Sequence, residues 1–236
     1  MQKDREIKFA VQGKESGVNI FKTDTANPIT YASPSKKHTQ IRKVDAPVPG
    51  VFLLYDVLTP DECQQYIDLT ENMGYEEATV TTFGGMVKMP DLRNNERVMW
   101  QSEEDVWGPI WQRIEPHIPK DVNMGAARWT PYGLNERLRF YRYDKEEMFG
   151  AHFDGCFPRR RWDQSLLTFI IYLTDDFEGG STMFYPSRHE VRPVKGMACL
   201  FFHGSHPLSP EHEGMLVTKG RKYVLRSDVM YRAQGK

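Results

Sequence analysis

Leu166-Leu-Thr-Phe-Ile-Ile-Tyr-Leu173 is an apolar run interrupted by one threonine, rich in β-branched and aromatic residues and followed by Asp175-Asp176. A run of this length between turn formers reads as a strand. The pattern recurs on either side of it, at residues 138–143, 182–185, 197–202 and 222–231. Gly179-Gly180, Pro186, Gly196, Gly204 and Gly220 mark the connections. Short strands in close succession predict a sandwich or barrel. No internal repeat is visible.

Upstream, residues 51–55 form another apolar run, read as a strand. Thr59-Pro60-Asp61-Glu62 then predicts a helix start, with an N-cap threonine, proline at the first helical position and a glutamate closing the capping box. That helix should end near residue 73, before Gly74. Ser102 with Glu103, Glu104 and Asp105 predicts a second start. Val106, Trp107, Ile110, Trp111 and Ile114 follow at helical spacing, and Pro116 and Pro119 come after them. The tryptophans read as core. The expected fold class is an all-β core with flanking helices (α+β), the helices packed outside a small barrel or jelly roll. Residues 1–46 are polar and rich in Lys, Thr and Ser, so they read as an N-terminal extension that wraps the domain or is partly disordered. Pro47 and Pro49-Gly50 punctuate the boundary, and residues 47–236 make up the domain.

The 236 residues suffice for one domain with a real core. Charges nearly cancel, 31 basic against 32 acidic, so no global field favours nucleic acid or a membrane surface. Cys63, Cys156 and Cys199 are too few and too scattered for a disulfide framework or a zinc site. The first ten residues carry charges throughout and no apolar stretch, and nowhere do eighteen apolar residues run together. The expected setting is a reducing cytosol or nucleus.

His152-Phe153-Asp154 is the candidate for chemistry. On a strand, alternation would place His152 and Asp154 on one face. A histidine from a later strand would complete two imidazoles and a carboxylate on one side of a metal. That is the arrangement of non-haem Fe(II) oxygenases, which leaves coordination positions open. Alone the motif is weak, because about one His-x-Asp or His-x-Glu is expected by chance in such a chain. His212 sits beside a predicted strand, while His203 and His206 are rivals that spacing does not exclude. Gly204 and Pro207 put these two in a turn, where a solvated or supporting role is expected. His38, His117 and His189 read as surface residues, and Cys156 as a small buried one.

The fragments Val51-Phe-Leu-Leu-Tyr-Asp-Val-Leu-Thr-Pro-Asp-Glu-Cys63, Arg142-Tyr143, Phe169-Ile-Ile-Tyr-Leu173, Glu178-Gly-Gly-Ser-Thr-Met-Phe184, Lys195-Gly196 and His212-x9-Lys222 occur in that order. Together they resemble the prolyl 4-hydroxylase-like branch of the Fe(II)/2-oxoglutarate dioxygenases, over about residues 51–232. The resemblance implies a double-stranded β-helix core. It also implies Fe(II) held by His152, Asp154 and His212, with 2-oxoglutarate and O2 as co-substrates and ascorbate as reductant. Lys222 would pair with the distal carboxylate of 2-oxoglutarate, and Tyr143, Thr182 and Tyr172 would hydrogen-bond it. The implied reaction couples oxidative decarboxylation of 2-oxoglutarate to hydroxylation of a C–H bond.

The substrate is less legible. Alternation along residues 135–143 puts Arg137, Arg139 and Tyr141 on the Tyr143 face, and Arg226 would join them from the Lys222 strand, with Asp228 beyond. Arginines lining a pocket suit carboxylate, phosphate or backbone carbonyls, although pairing with neighbouring acids is an equal reading. Arg93, in a possible gating loop over residues 83–97, is a further candidate. Collagen-type relatives carry Trp six residues after the lysine. Asp228 stands there, which argues against a collagen-like peptide. The expected partner is a prolyl or other residue in a protein or peptide. The alternatives are a free amino acid or small carboxylate metabolite, nucleic-acid demethylation through Arg159-Arg160-Arg161-Trp162, and a non-catalytic binding module. Oligomeric state is not legible.

Overall fold

A computed structural model describes residues 7–24, 27–32, 41–78, 80–82, 85–87, 89 and 92–234. Phe83, Gly84 and His38 of the expectations above lie outside the described residues.

Two sheets, antiparallel where they meet the site, hold it between them. In the larger, Lys222–Ala233 is the central strand, with Arg137–Tyr143 along one edge and Asp163–Tyr172 along the other. Beyond Asp163–Tyr172 come Ala198–Phe202 and then Val51–Tyr55. The smaller sheet runs Phe149–His152, His212–Gly214, Thr182–Phe184, His189–Val191. The observed strands match the apolar runs closely; the central one extends to Ala233, where its far end pairs with Ala127–Leu134. Among the described residues no helix is long and apolar enough to cross a membrane.

Alternation divides the apolar residues between two cores. Phe52, Leu54, Leu138, Phe140, Phe169, Ile171, Leu200 and Leu225 join one cluster with the helix residues Tyr66, Ile67, Ile110 and Ile114. Val51, Leu53, Tyr141, Tyr143, Tyr172, Phe201 and Val224 point the other way and share a second cluster with Phe184 and Val191 of the smaller sheet. Helices therefore cover one face of the large sheet, and the other face meets the small sheet.

The first helix, Pro60–Met73, has the capping box the sequence predicts and ends at Gly74. Glu62 within that box also accepts from the Ala32 backbone and from both terminal nitrogens of Arg113 on the second helix. One carboxylate thus ties the helices and an N-terminal segment together. The second helix, Glu104–Ile114, starts later than expected: its cap is Glu103, with no side-chain hydrogen bond. The Ser102 hydroxyl is taken by the Glu136 carbonyl instead. Trp111 is buried and Trp107 packs against the same core. Gly196 is required where it stands, since its φ is +78° and a Cβ would lie 2.1 Å from the Leu58 carbonyl oxygen.

N-terminal residues also join the large sheet. Phe9–Glu15 and Val18–Thr23 form a hairpin whose second strand runs parallel to Glu96–Gln101.

Candidate metal centre

Pairing between Phe149–His152 and His212–Gly214 puts His152 directly across from His212. Asp154 lies just beyond the first of these strands. The motif is therefore not one strand face, as alternation suggests, but a strand end plus an extended turn. Their ligand atoms lie within 4.8 Å of one another. Nδ1 of His152 faces the Gly150 carbonyl and Nδ1 of His212 the Pro210 carbonyl. Both Nε2 atoms are left facing Asp154, at 3.5 Å from Oδ1 and 3.7 Å from Oδ2.

Protonation favours metal binding too. Burial pulls the His212 imidazole down to about 4, so it is a neutral ligand near pH 7. Burial alone would raise Asp154, but Arg226, His212 and His152 outweigh it and hold the carboxyl well below the ordinary carboxylate range. Two imidazoles and one carboxylate, with no sulfur, fit a ferrous ion on one face.

The ligands are braced from behind. Phe149 stacks on His152 with ring centroids 3.7 Å apart. Thr168 Oγ1 lies 2.7 Å from Asp154 Oδ2 and 2.9 Å from His203 Nδ1, and His203 Nε2 lies 2.8 Å from Ser165 Oγ. His203 is 1% exposed, so of the solvated and supporting roles expected for it the supporting one is found. Its side chain reaches the cluster through Thr168 and stays outside the ligand set, as does His206, which stacks on Phe202. His117 and His189 are partly exposed. Cys156 is exposed rather than buried.

The same cleft is lined by Lys222, Tyr143, Tyr172, Thr182, Tyr141 and Arg226. Register explains the gathering: Lys222, Val224 and Arg226 alternate onto the inner face of the central strand, opposite Tyr143, Tyr141 and Arg139. Lys222 is 3% exposed, donates to the Gly180 carbonyl at 2.6 Å and, among the described residues, has no carboxylate partner. Burial lowers its ammonium to about 7. The rings of Tyr143 and Tyr172 lie 5.0 and 5.8 Å from Nζ, and the Tyr172 hydroxyl bonds Thr182 Oγ1 at 2.7 Å. A buried ammonium without a counter-ion is costly unless an anion arrives to share the space.

Arg226 sits 2.9 Å from Asp154, and Arg139 3.3 Å from Asp228. Arg93 lies over the Tyr141 and Phe149 rings. The Arg159 to Arg161 turn is elsewhere: Arg159 pairs with Glu136 and Arg161 stacks on Trp162.

Sequence reasoning missed Thr168 and Ser165, through which His203 supports the site. The signal available was the lone threonine inside the apolar run at 166–173.

The sequence model of the 2OG-Fe(II) oxygenase superfamily matches residues 138–227, which contain all three candidate ligands and Lys222. A prolyl 4-hydroxylase homologue from Acanthamoeba polyphaga mimivirus is 26% identical over 195 residues, 77% of this chain and 74% of its own length. Prolyl 4-hydroxylase 1 of Arabidopsis thaliana is 26% identical over 196 residues, 74% of this chain and 66% of its own. The fold is similar to that of a Trichoplax adhaerens prolyl hydroxylase solved with a hypoxia inducible factor peptide fragment. There the TM-score is 0.56 at 15% identity, over 76% of this chain and 83% of that one. The match over residues 138–227, the similarity to prolyl 4-hydroxylases and the His-Asp-His cluster together mark the chain as a prolyl 4-hydroxylase-like dioxygenase that works with Fe(II), 2-oxoglutarate and O2.

Proposed function

We propose that this chain hydroxylates a prolyl or other residue of a protein or peptide, on a double-stranded β-helix core. The core reading is supported by two sheets sharing one set of inward side chains. In this reading His152, Asp154 and His212 hold Fe(II). Lys222 pairs with the distal carboxylate of 2-oxoglutarate, and Tyr143, Tyr172 and Thr182 fix the same end. Bound there, iron supplies the oxidative decarboxylation of 2-oxoglutarate with O2 and the hydroxylation of a C–H bond. The chain's own work is placement. The two imidazoles and the carboxylate would hold the ion from one side and leave room for the co-substrate. The Tyr143 and Tyr172 rings exclude water around Nζ. Peptide substrates are the reading that the prolyl 4-hydroxylase relatives support.

The observation that carries this is Lys222, a buried ammonium with no acidic partner among the described residues that opens onto the same cleft as the His-Asp-His cluster. Three cysteines without a disulfide, and ascorbate as the reductant for ferrous iron, fit a reducing cytosol or nucleus as the setting. The test is incubation of the full chain with Fe(II), 2-oxoglutarate and either a prolyl-peptide pool or an amino-acid pool. Succinate release and a sixteen-dalton gain in a peptide are expected. Succinate absent with every pool, or gain confined to free amino acids, would count against it.

A further inference from the structure

The wall beside the candidate metal ligands carries more positive charge than the carboxylates among the described residues neutralise. Arg139 and Arg226 face each other across paired strands, and Arg93 and Arg97 crowd in from residues 92–101. Three carboxylates answer them. Glu15 pairs with Arg137 and lies 3.7 Å from Arg139. Asp228 is 3.3 Å from Arg139 and 3.9 Å from Arg226, and Asp154 is 2.9 Å from Arg226. Among the described residues neither Arg93 nor Arg97 has a carboxylate within ion-pair distance. Arg97 donates to the backbone carbonyls of Glu15 and Ser16, and Arg93 to the Asn95 side chain.

Donors are also left over. Nη2 of Arg93 and Nε of Arg226 are buried and have no hydrogen-bond partner among the described residues. Arg93 is 9% exposed, and its guanidinium lies 4.4 Å from the Phe149 ring centroid and 5.0 Å from that of Tyr141, both rings lining the cleft. Tyr141 reports the local field. Burial pushes its phenol up, yet Arg226, Arg93, Arg139 and Arg97 outweigh that and hold it below its ordinary value. The carboxylate nearest Arg226 is Asp154, which a metal ion would share, so loading the site adds positive charge to the wall. Buried unpaired guanidinium groups are expensive, and a planar fork of this kind suits a carboxylate.

We propose that the substrate carries a carboxylate, seated on Arg93 and Arg226 beside Tyr141, near the carbon that is hydroxylated. This rests on the hydroxylase reading above and narrows its substrate class to acidic peptides, with the carboxylate from either of two sources: the C-terminus of the peptide, at a terminal proline, or an acidic side chain.

The experiment uses the full chain loaded with Mn(II) and 2-oxoglutarate and two pairs of probes differing only in charge. One pair is N-acetyl-proline and N-acetyl-prolinamide. The other is a prolyl pentapeptide flanked by glutamate and the same peptide flanked by glutamine. The acid of at least one pair should bind at least tenfold more tightly than its amide, and Arg93→Gln should remove the preference. The arm in which it appears identifies the source. Equal binding of acid and amide in both arms overturns the inference, as does a preference that survives Arg93→Gln. The wild-type comparison decides the matter even where that variant does not fold. Failure of the wild-type chain to bind Mn(II) or 2-oxoglutarate counts instead against the hydroxylase reading.

Discussion

The Thr168 hydroxyl donates to Oδ2 of Asp154 across 2.7 Å, and that bond sets the direction of every other one behind it. Having spent its proton, Thr168 must accept from Nδ1–H of His203. Nε2 of His203 then accepts from the Ser165 hydroxyl, which in turn accepts from the Phe157 backbone N–H at 2.7 Å. A neutral His203 satisfies all of it, and burial lowers this imidazole below its ordinary value, favouring that form. The chain fixes the carboxylate's rotation. Thr168→Val should weaken Mn(II) or Co(II) affinity about tenfold, while Thr168→Ser restores it, as partners of a metal-ligating carboxylate typically do. Equal affinities for the two variants, measured by titration, would sink the idea.

Binding of 2-oxoglutarate should draw in a proton. With the Lys222 ammonium lowered to about 7 in the free protein, most molecules carry a neutral amine at pH 8. An incoming carboxylate favours the charged form. Calorimetry in buffers of different ionisation enthalpy should show uptake of close to one proton at pH 8 and little at pH 6. Affinity should fall as pH rises above 7.

Replacing Lys222 with methionine should separate stability from binding. Its folded-state value lies below the ordinary 10.5, so between about 7 and 10.5 the unfolded chain holds the extra proton and stability rises with pH. Below pH 7 the penalty for the buried charge is fully present. Lys222→Met removes it, so at pH 6 the melting temperature without 2-oxoglutarate should increase. The further rise that 2-oxoglutarate gives the parent should vanish.

Glu62 should govern acid stability. Burial would raise its carboxyl, but Arg113 and the Thr59 and Ala32 amides outweigh that and lower it. The stabilisation is present above the ordinary carboxylate value and lost as pH falls through the lowered one. Glu62→Gln leaves Arg113 without its charge partner and should cost about 3 kcal/mol at neutral pH. Urea unfolding of both proteins should converge as pH drops toward 3.

Much of this was legible because the informative signals are local. The capping box at Thr59 and Glu62 needs only four residues, and alternation along residues 137–143 correctly separated Arg139, Tyr141 and Tyr143 from Leu138 and Phe140. The placement of His203 was not legible. It depends on the pairing of Asp163–Tyr172 with Ala198–Phe202 and on a bulge between Ser165 and Leu167, neither of which leaves a mark on composition. Cys156 fails for a related reason: a small thiol two residues past a buried carboxylate can face either way, and here the turn carries it outward.

The N-terminal hairpin has a consequence for anyone trimming the protein. Glu15 and Ser16 sit at its tip and occupy Arg97, Arg137 and Arg139. Cutting at the compositional boundary near residue 46 would strip away this acidic plug and bare a cationic gutter next to the His-Asp-His cleft. The shortened product should cling to polyphosphate and nucleic acid during purification, an artefact easily mistaken for biology.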